Sequence, residues 1–274
     1  MDKLIINGGH KLFGDVQISG AKNAVLPIMT ATLIVPGNYK INNVPDLRDT
    51  RTMIELLKII GANVQYSNNT LLIDTKECNN PHAPYDLVKT MRASFYVLGP
   101  LLSRFHESKV SLPGGCAWGP RPVDFHIKAL REMKVDVRLN KGDIIAQGQP
   151  QGHKIHFAKK SVGATGNILM ASARANGITE ISNASMEPEI VSLCEFLQKL
   201  GADIDGIGTE ALIISPIENE NNSFEFKDHG KILPFGLISW LHIHHIYKKN
   251  ELIIIKDELN FKHKNNFLGI FIYP

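Results

Sequence analysis

The residues with chemical potential fall in a few short segments. The richest is Leu112-Pro-Gly-Gly-Cys-Ala-Trp-Gly-Pro-Arg-Pro-Val-Asp-Phe-His126, where glycines and prolines form a loop able to hold Cys116 exposed, with Arg121 just before a helix. A thiol near a cation and a helix start has its pKa lowered from the ~8.5 of free cysteine, making it a nucleophile or an acid near neutrality. A small buried cysteine is the competing reading, and the residues alone leave both open. Lys22 and Asn23 follow Ser19-Gly20-Ala21 at another helix start, where backbone N–H groups and an ammonium make a seat for phosphate. Arg92 holds the equivalent helix start further along. A third such helix follows Lys159-Lys160-Ser161-Val162, with Ser161 as its cap and Gly163 allowing close backbone approach. Three related helix starts carrying cationic or hydroxyl groups point to an anionic ligand such as a phosphate or diphosphate.

Other polar groups read as structural. His242, His244 and His245 lack the Cys or carboxylate partners of a metal site, so no metal is expected there. Asp74, Asp143, Glu187 and Glu189 read as strand-end and helix-start charges. Cys78, Cys116 and Cys194 match neither a disulfide framework nor a zinc site, and are expected to be free thiols.

The elements that position these groups recur. Asp49–Val64, Arg121–Val137 and Glu187–Ile204 each combine apolar residues at helical spacing, a helix stop at Gly61, Lys134 or Gly201, and a strand start. A second set of segments, each a helix rich in small and apolar residues followed by a turn and a short strand, brings Ile41, Val110 and Ile181 into correspondence, again about 70 residues apart. Residues 22–226 therefore read as an α/β domain of three βαβαββ repeats that carries the Cys116 loop. The first helix of each repeat is apolar on nearly every side, which places the helices inside and the sheets outside.

Composition sets the outer limits. The 274 residues are 43% hydrophobic and 21% charged, the profile of a folded protein. The formal charge of +3 is small and dispersed, with no basic run to track a nucleic-acid backbone, so nucleic acid is not an expected partner. No signal peptide and no apolar run near the ~20 residues of a membrane span is seen, so a cytoplasmic protein without membrane contact is expected. After about Lys227 the text changes: residues 228–274 contain no Ala, Val, Thr, Met or Arg, yet hold five His and nine Ile. This atypical tail, 227–274, is expected to be disordered and prone to aggregation around Leu252–Ile255.

In this order and spacing, SGAKNA (19–24), LPGGCAWGPRPVDFH (112–126), SVGAT (161–165) and EPEIV (187–191) closely resemble the UDP-N-acetylglucosamine 1-carboxyvinyltransferases of the enolpyruvyl transferase family. The Cys loop joined to RPVD separates this group from the shikimate-pathway synthases. The resemblance implies transfer of the enolpyruvyl group of phosphoenolpyruvate to the 3′-hydroxyl of UDP-N-acetylglucosamine, the first committed step of peptidoglycan synthesis, with no metal or organic cofactor. It implies an inside-out α/β barrel of two domains, in which residues 1–21 are N-terminal strands of the second domain. Cys116 would be the general acid, and in related enzymes the fosfomycin target. Lys22 and Asn23 would hold phosphoenolpyruvate. Arg92, Arg121, Pro122, Val123, Asp124, Phe125, Lys159, Lys160, Ser161 and Val162 would contact the nucleotide sugar. Where the family opens its next repeat with Pro-Asp-Arg-Ile-Glu-Ala-Gly, this chain has Lys227-Asp-His-Gly-Lys-Ile-Leu-Pro234. It is therefore expected to be C-terminally incomplete and impaired alone, with a non-catalytic nucleotide-sugar-binding remnant as the alternative.

Overall fold

Short-range chemistry sets the elements, and their repetition sets the architecture. The computed structural model describes residues 19–112, 123–218 and 223–227. The chain divides into one unit of 20–231 and another of 1–19 with 232–274; apart from Ser19, the second unit lies outside the described residues. The expectations for residues 1–18 and for the tail beyond Lys227 lie outside them too.

The first repeat contains α1 (Lys22–Ala31), β1 (Asn38–Asn42), α2 (Arg48–Ile60), β2 (Asn63–Ser67) and β3 (Thr70–Asp74). The second opens with β4 (His82–Ala83) and the short α3 (Tyr85–Val88). A 3₁₀ stretch, Arg92–Val97, then runs into α4 (Leu98–Phe105), followed by β5 (Glu107–Ser111), α5 (Asp124–Glu132), β6 (Asp136–Asn140) and β7 (Asp143–Gln147). The third comprises β8 (Lys154–His156), α6 (Val162–Ser172), β9 (Thr179–Ser182), α7 (Pro188–Leu200), β10 (Asp203–Asp205) and β11 (Ala211–Ser215), and β12 (Ser223–Lys227) follows.

Three four-stranded sheets result, ordered β12-β1-β3-β2, β4-β5-β7-β6 and β8-β9-β11-β10. In each, the opening strand runs parallel to the second and the remaining pairs are antiparallel. The registers coincide: Ile41 stands opposite Phe226 and Leu71, Val110 opposite Ala83 and Ile144, and Ile181 opposite Ile155 and Leu212. One connection differs from a serial reading of the repeats. The opening strand of the first sheet is β12, from the far end of the domain, so the ring of repeats closes on itself.

The three second helices end alike. Gly61, Lys134 and Gly201 are all left-handed, with φ of 109°, 64° and 109°. The next residue's N–H reaches back to Leu57, Leu130 and Leu197 respectively, at 2.9, 3.1 and 3.1 Å, which satisfies a carbonyl that the helix end would leave bare.

The first helices form the interior. Every residue from Ala24 to Ala31 of α1 and from Ala164 to Ser172 of α6 is buried, as are Leu98–Ser103 of α4. The strands alternate buried and exposed residues, as sheets with one face on the core must. Arg104 ties the second repeat to the first by donating to the Leu33, Thr75, Lys76 and Cys78 carbonyls, and Arg174 of the third repeat donates to Ile34 O. Cys78 and Cys194 are free and buried, and burial pushes their thiols up to about 11 and about 12.

The close crossing of α4 and α6 depends on Gly99. A Cβ there would stand 2.3 Å from the Asn167 backbone oxygen. Replacing Gly99 by Ala forces the two helices apart and should cost about 1–3 kcal/mol. A lowered urea midpoint at unchanged denaturant slope is the expected result, and an unchanged midpoint would contradict the constraint.

Candidate functional site

Each candidate side chain stands at a helix start for a local reason. Ser161 caps α6: its hydroxyl accepts from Ala164 N at 3.3 Å, while its own backbone stays extended. The α1 start has no side-chain cap; Lys22 and Asn23 are exposed there, while Ala24 N–H turns back to Ala21 O at 3.1 Å. Lys22 Nζ lies 3.0 Å from Asp49 Oδ2 in the first turn of α2. Lys160 is paired with Glu210, and Lys159 is exposed. Arg92 is the first residue of the 3₁₀ stretch. Val123 precedes α5, Asp124 is the acid of its first turn, and Val123, Phe125 and Val162 pack partly buried against the core. Cys116, Arg121 and Pro122 lie outside the described residues, as do His242, His244 and His245.

A buried polar cluster joins three of these starts. Asn167 of α6, 1% exposed, accepts Gly99 N–H on Oδ1 at 2.8 Å and donates from Nδ2 to Phe95 O at 3.2 Å. The same Nδ2 faces His126 Nδ1 at 3.1 Å. Because the amide nitrogen can only donate, Nδ1 accepts and the imidazole proton sits on Nε2. The His126 ring meets Phe95 edge-on, 4.9 Å between centroids, and its opposite edge lies against Gly163. Thus the segment after Arg92, the first turn of α5 and the first turn of α6 meet around one imidazole.

Burial governs the titratable groups near this cluster. Burial pushes His126 down to about 3, with the Arg92 charge adding to the effect, so the ring is neutral at pH 7. Burial also raises the Tyr96 phenol, with the charges of Glu189 and Glu187 adding to the effect, and the Glu189 carboxyl. Glu189 stands at the start of α7, as expected of a helix-start charge, but it is buried. Among the described residues no group of three or more His, Cys, Asp or Glu is arranged to hold a metal ion, and no helix is long and apolar enough to cross a membrane. Two open clefts are present, one over the first sheet around Lys40, Leu72 and Glu225, the other along α5 from the candidate Asp124 to Leu139.

Sequence reasoning placed Lys22, Arg92 and Ser161 at helix starts, and the structure puts them there. It missed the acids Asp49 and Glu210 that hold Lys22 and Lys160, and it missed Asn167. The signal for Asn167 was present: one amide in the otherwise small and apolar run VGATGNILMAS, four residues after Gly163 and so on the same helix face.

The chain belongs to the EPSP synthase (3-phosphoshikimate 1-carboxyvinyltransferase) family, whose profile matches residues 6–227. Within that family it is 52% identical over 221 residues to the UDP-N-acetylglucosamine 1-carboxyvinyltransferase of Prosthecochloris aestuarii, covering 79% of this chain and 52% of that protein. It is 53% identical over 222 residues to the protein of the same name from Chloroherpeton thalassium, covering 80% and 52%. The chain thus spans about half the length of the curated relatives it matches. Among solved structures, the enolpyruvyl transferase NikO from Streptomyces tendae aligns with a TM-score of 0.69 at 22% identity over 86% of this chain and 56% of that one. An EPSP synthase from Acinetobacter baumannii aligns at 0.64 and 17%, over 80% and 51%. These two likenesses bear on the fold, and they agree with an enolpyruvyl transferase-like α/β architecture.

The neutral His126 carries a pH prediction. Its pKa is about 3 when folded and near 6.5 when unfolded, so the unfolded chain takes up a proton that the folded chain refuses. Its contribution to stability is complete above pH 6.5 and is lost progressively as pH falls toward 3. Between pH 6.5 and 5 this group alone should remove about 2 kcal/mol. Urea denaturation at pH 7 and pH 5 checks it: His126→Phe should shrink the difference between the two, and an equal difference in both proteins would contradict the assignment.

Proposed function

We propose that this chain carries the nucleotide-sugar-binding face and the acid of a UDP-N-acetylglucosamine 1-carboxyvinyltransferase. In that reaction the sugar 3′-hydroxyl adds to C2 of phosphoenolpyruvate while a proton is delivered to its methylene carbon. The tetrahedral adduct then loses phosphate together with a proton from the new methyl group, leaving the enolpyruvyl ether. The observation that carries the reading is the set of helix starts bearing Lys22, Arg92 and Ser161, in a chain 52–53% identical to relatives of that name.

Lys22 and Asn23 hold phosphoenolpyruvate beside the uncapped first turn of α1. Arg92, Arg121–Phe125 and Lys159–Val162 hold the uridine diphosphate and its sugar, where helix N-termini favour negative charge. An arriving phosphate competes with Asp49 for Lys22 and with Glu210 for Lys160. Cys116 is the acid that protonates the methylene carbon, and the thiol that fosfomycin targets. Residues 22–226 act as one three-repeat domain, with 1–21 belonging to a second domain. The reading brings with it a cytoplasmic location and a part in cell wall biogenesis, cell shape and cell division. It needs no metal, organic cofactor, nucleic acid or membrane.

A second reading, nucleotide-sugar binding without turnover, takes its support from the match, which spans about half the length of the relatives. Phosphate release with both substrates separates the two. The transferase reading expects UDP-N-acetylglucosamine-dependent release that Cys116→Ala lowers by about 10²- to 10⁴-fold, the usual worth of a positioned acid. Binding of the nucleotide sugar with no release would favour the second reading, and neither binding nor release would contradict both.

A further inference from the structure

Asn167 is not among the residues proposed to touch substrate. It lies at the fourth position after Gly163 on α6 and is 1% exposed, too deep to meet a ligand. Its three polar contacts go to three different stretches of backbone or side chain. Oδ1 holds Gly99 N–H at the start of α4, Nδ2 holds the Phe95 carbonyl of the 3₁₀ stretch, and Nδ2 also holds His126 Nδ1 of α5. Two of these stretches carry proposed nucleotide-sugar contacts one to three residues away, Arg92 before Phe95 and Asp124 and Phe125 before His126, and the His126 ring in turn lies near Gly163, which follows Ser161 and Val162.

The chemistry makes this junction stiff. The amide has one acceptor oxygen and a donor nitrogen, and both are used. Gly99 N–H, given to Asn167 Oδ1, ties the start of α4 to α6. The imidazole is held in one tautomer by the amide, lies edge-on to Phe95, and sits beside Gly163. A shift of any one helix start breaks at least one of these contacts in a place closed to water, where an unmade hydrogen bond is expensive.

We propose that Asn167 is a positioning residue for nucleotide-sugar binding, acting through His126 to hold the starts of the 3₁₀ stretch, α5 and α6 in register. The proposal rests on the reading that these starts bind the nucleotide sugar. Removing the amide should therefore leave a folded protein whose ligand groups are all present but misaligned.

Calorimetric titration of the full chain with UDP-N-acetylglucosamine tests it, comparing wild type, Asn167→Ala, His126→Phe and a stability control, Ile73→Ala, buried in the first sheet. The phenyl ring keeps an aromatic ring against Phe95 and removes both ring nitrogens, the Nδ1 facing Asn167 among them, so it serves if Asn167→Ala does not fold. Asn167→Ala and His126→Phe should each weaken binding by about 10- to 100-fold, the range for removing a group that orients a binding residue. The double variant should be no worse than the weaker single variant, and Ile73→Ala should stay within about twofold of wild type. Wild-type affinity in a folded Asn167→Ala or His126→Phe overturns the proposal, as does an equal loss in Ile73→Ala, which would make the effect one of general stability. No binding by the wild type overturns the proposed function and this inference together.

Discussion

The candidate site depends on a close crossing between two buried helices. At Gly99 the backbone of α4 approaches the Asn167 carbonyl to a distance that leaves no room for a Cβ. At that distance the Asn167 side chain can take up the Gly99 amide, the Phe95 carbonyl and the His126 imidazole together. Widening the crossing would strand three buried polar groups at about 1–3 kcal/mol each, which is why the geometry persists without any contact to solvent. The segments bearing Arg92, Asp124 and Ser161 meet at this junction, and the sheets cover the helices from outside.

Above the junction the electrostatics change character. The pairs Lys22–Asp49 and Lys160–Glu210 are about half exposed, so they contribute little to stability. Their effect is local: each keeps a flexible ammonium at a helix start in place of free solution. A phosphate would meet both the cation and the helix amides there. Below, His126 stays neutral because burial and the Arg92 charge both oppose a proton. The structure thus separates a charged, exchangeable rim from an uncharged, fixed base.

Much of this was legible in the residues. The helix ends at Gly61, Lys134 and Gly201 were readable because a left-handed stop is a local event. The matching positions Ile41, Val110 and Ile181 were readable because their strands repeat the same burial pattern. Ser161 was readable as a cap for the same reason. The pairing of β12 with β1 was not, since a parallel partner from the far end of a domain leaves no mark near either strand. The apolar pattern expects one helix beginning at Arg92, but Arg92–Val97 is a 3₁₀ stretch whose Phe95 carbonyl is taken by Asn167, a partner 72 residues away. His126 stood in a quoted motif and Asn167 in a quoted helix, but their contact spans 41 residues of sequence and depends on the crossing of helices that no local rule supplies.

The central claim is that the helix starts bearing Arg92, Asp124 and Ser161 form one anion-binding face held by the Asn167 junction. A crystal structure of the chain with UDP-N-acetylglucosamine tests this most directly. The account predicts the diphosphate at the first turn of α6, within hydrogen-bond reach of its amides or of Ser161, with the nucleotide reaching the start of α5 and the Asn167–His126 contact intact. A nucleotide sugar seated on the outer face of a sheet, or at the helix starts only after that contact has broken, would contradict it.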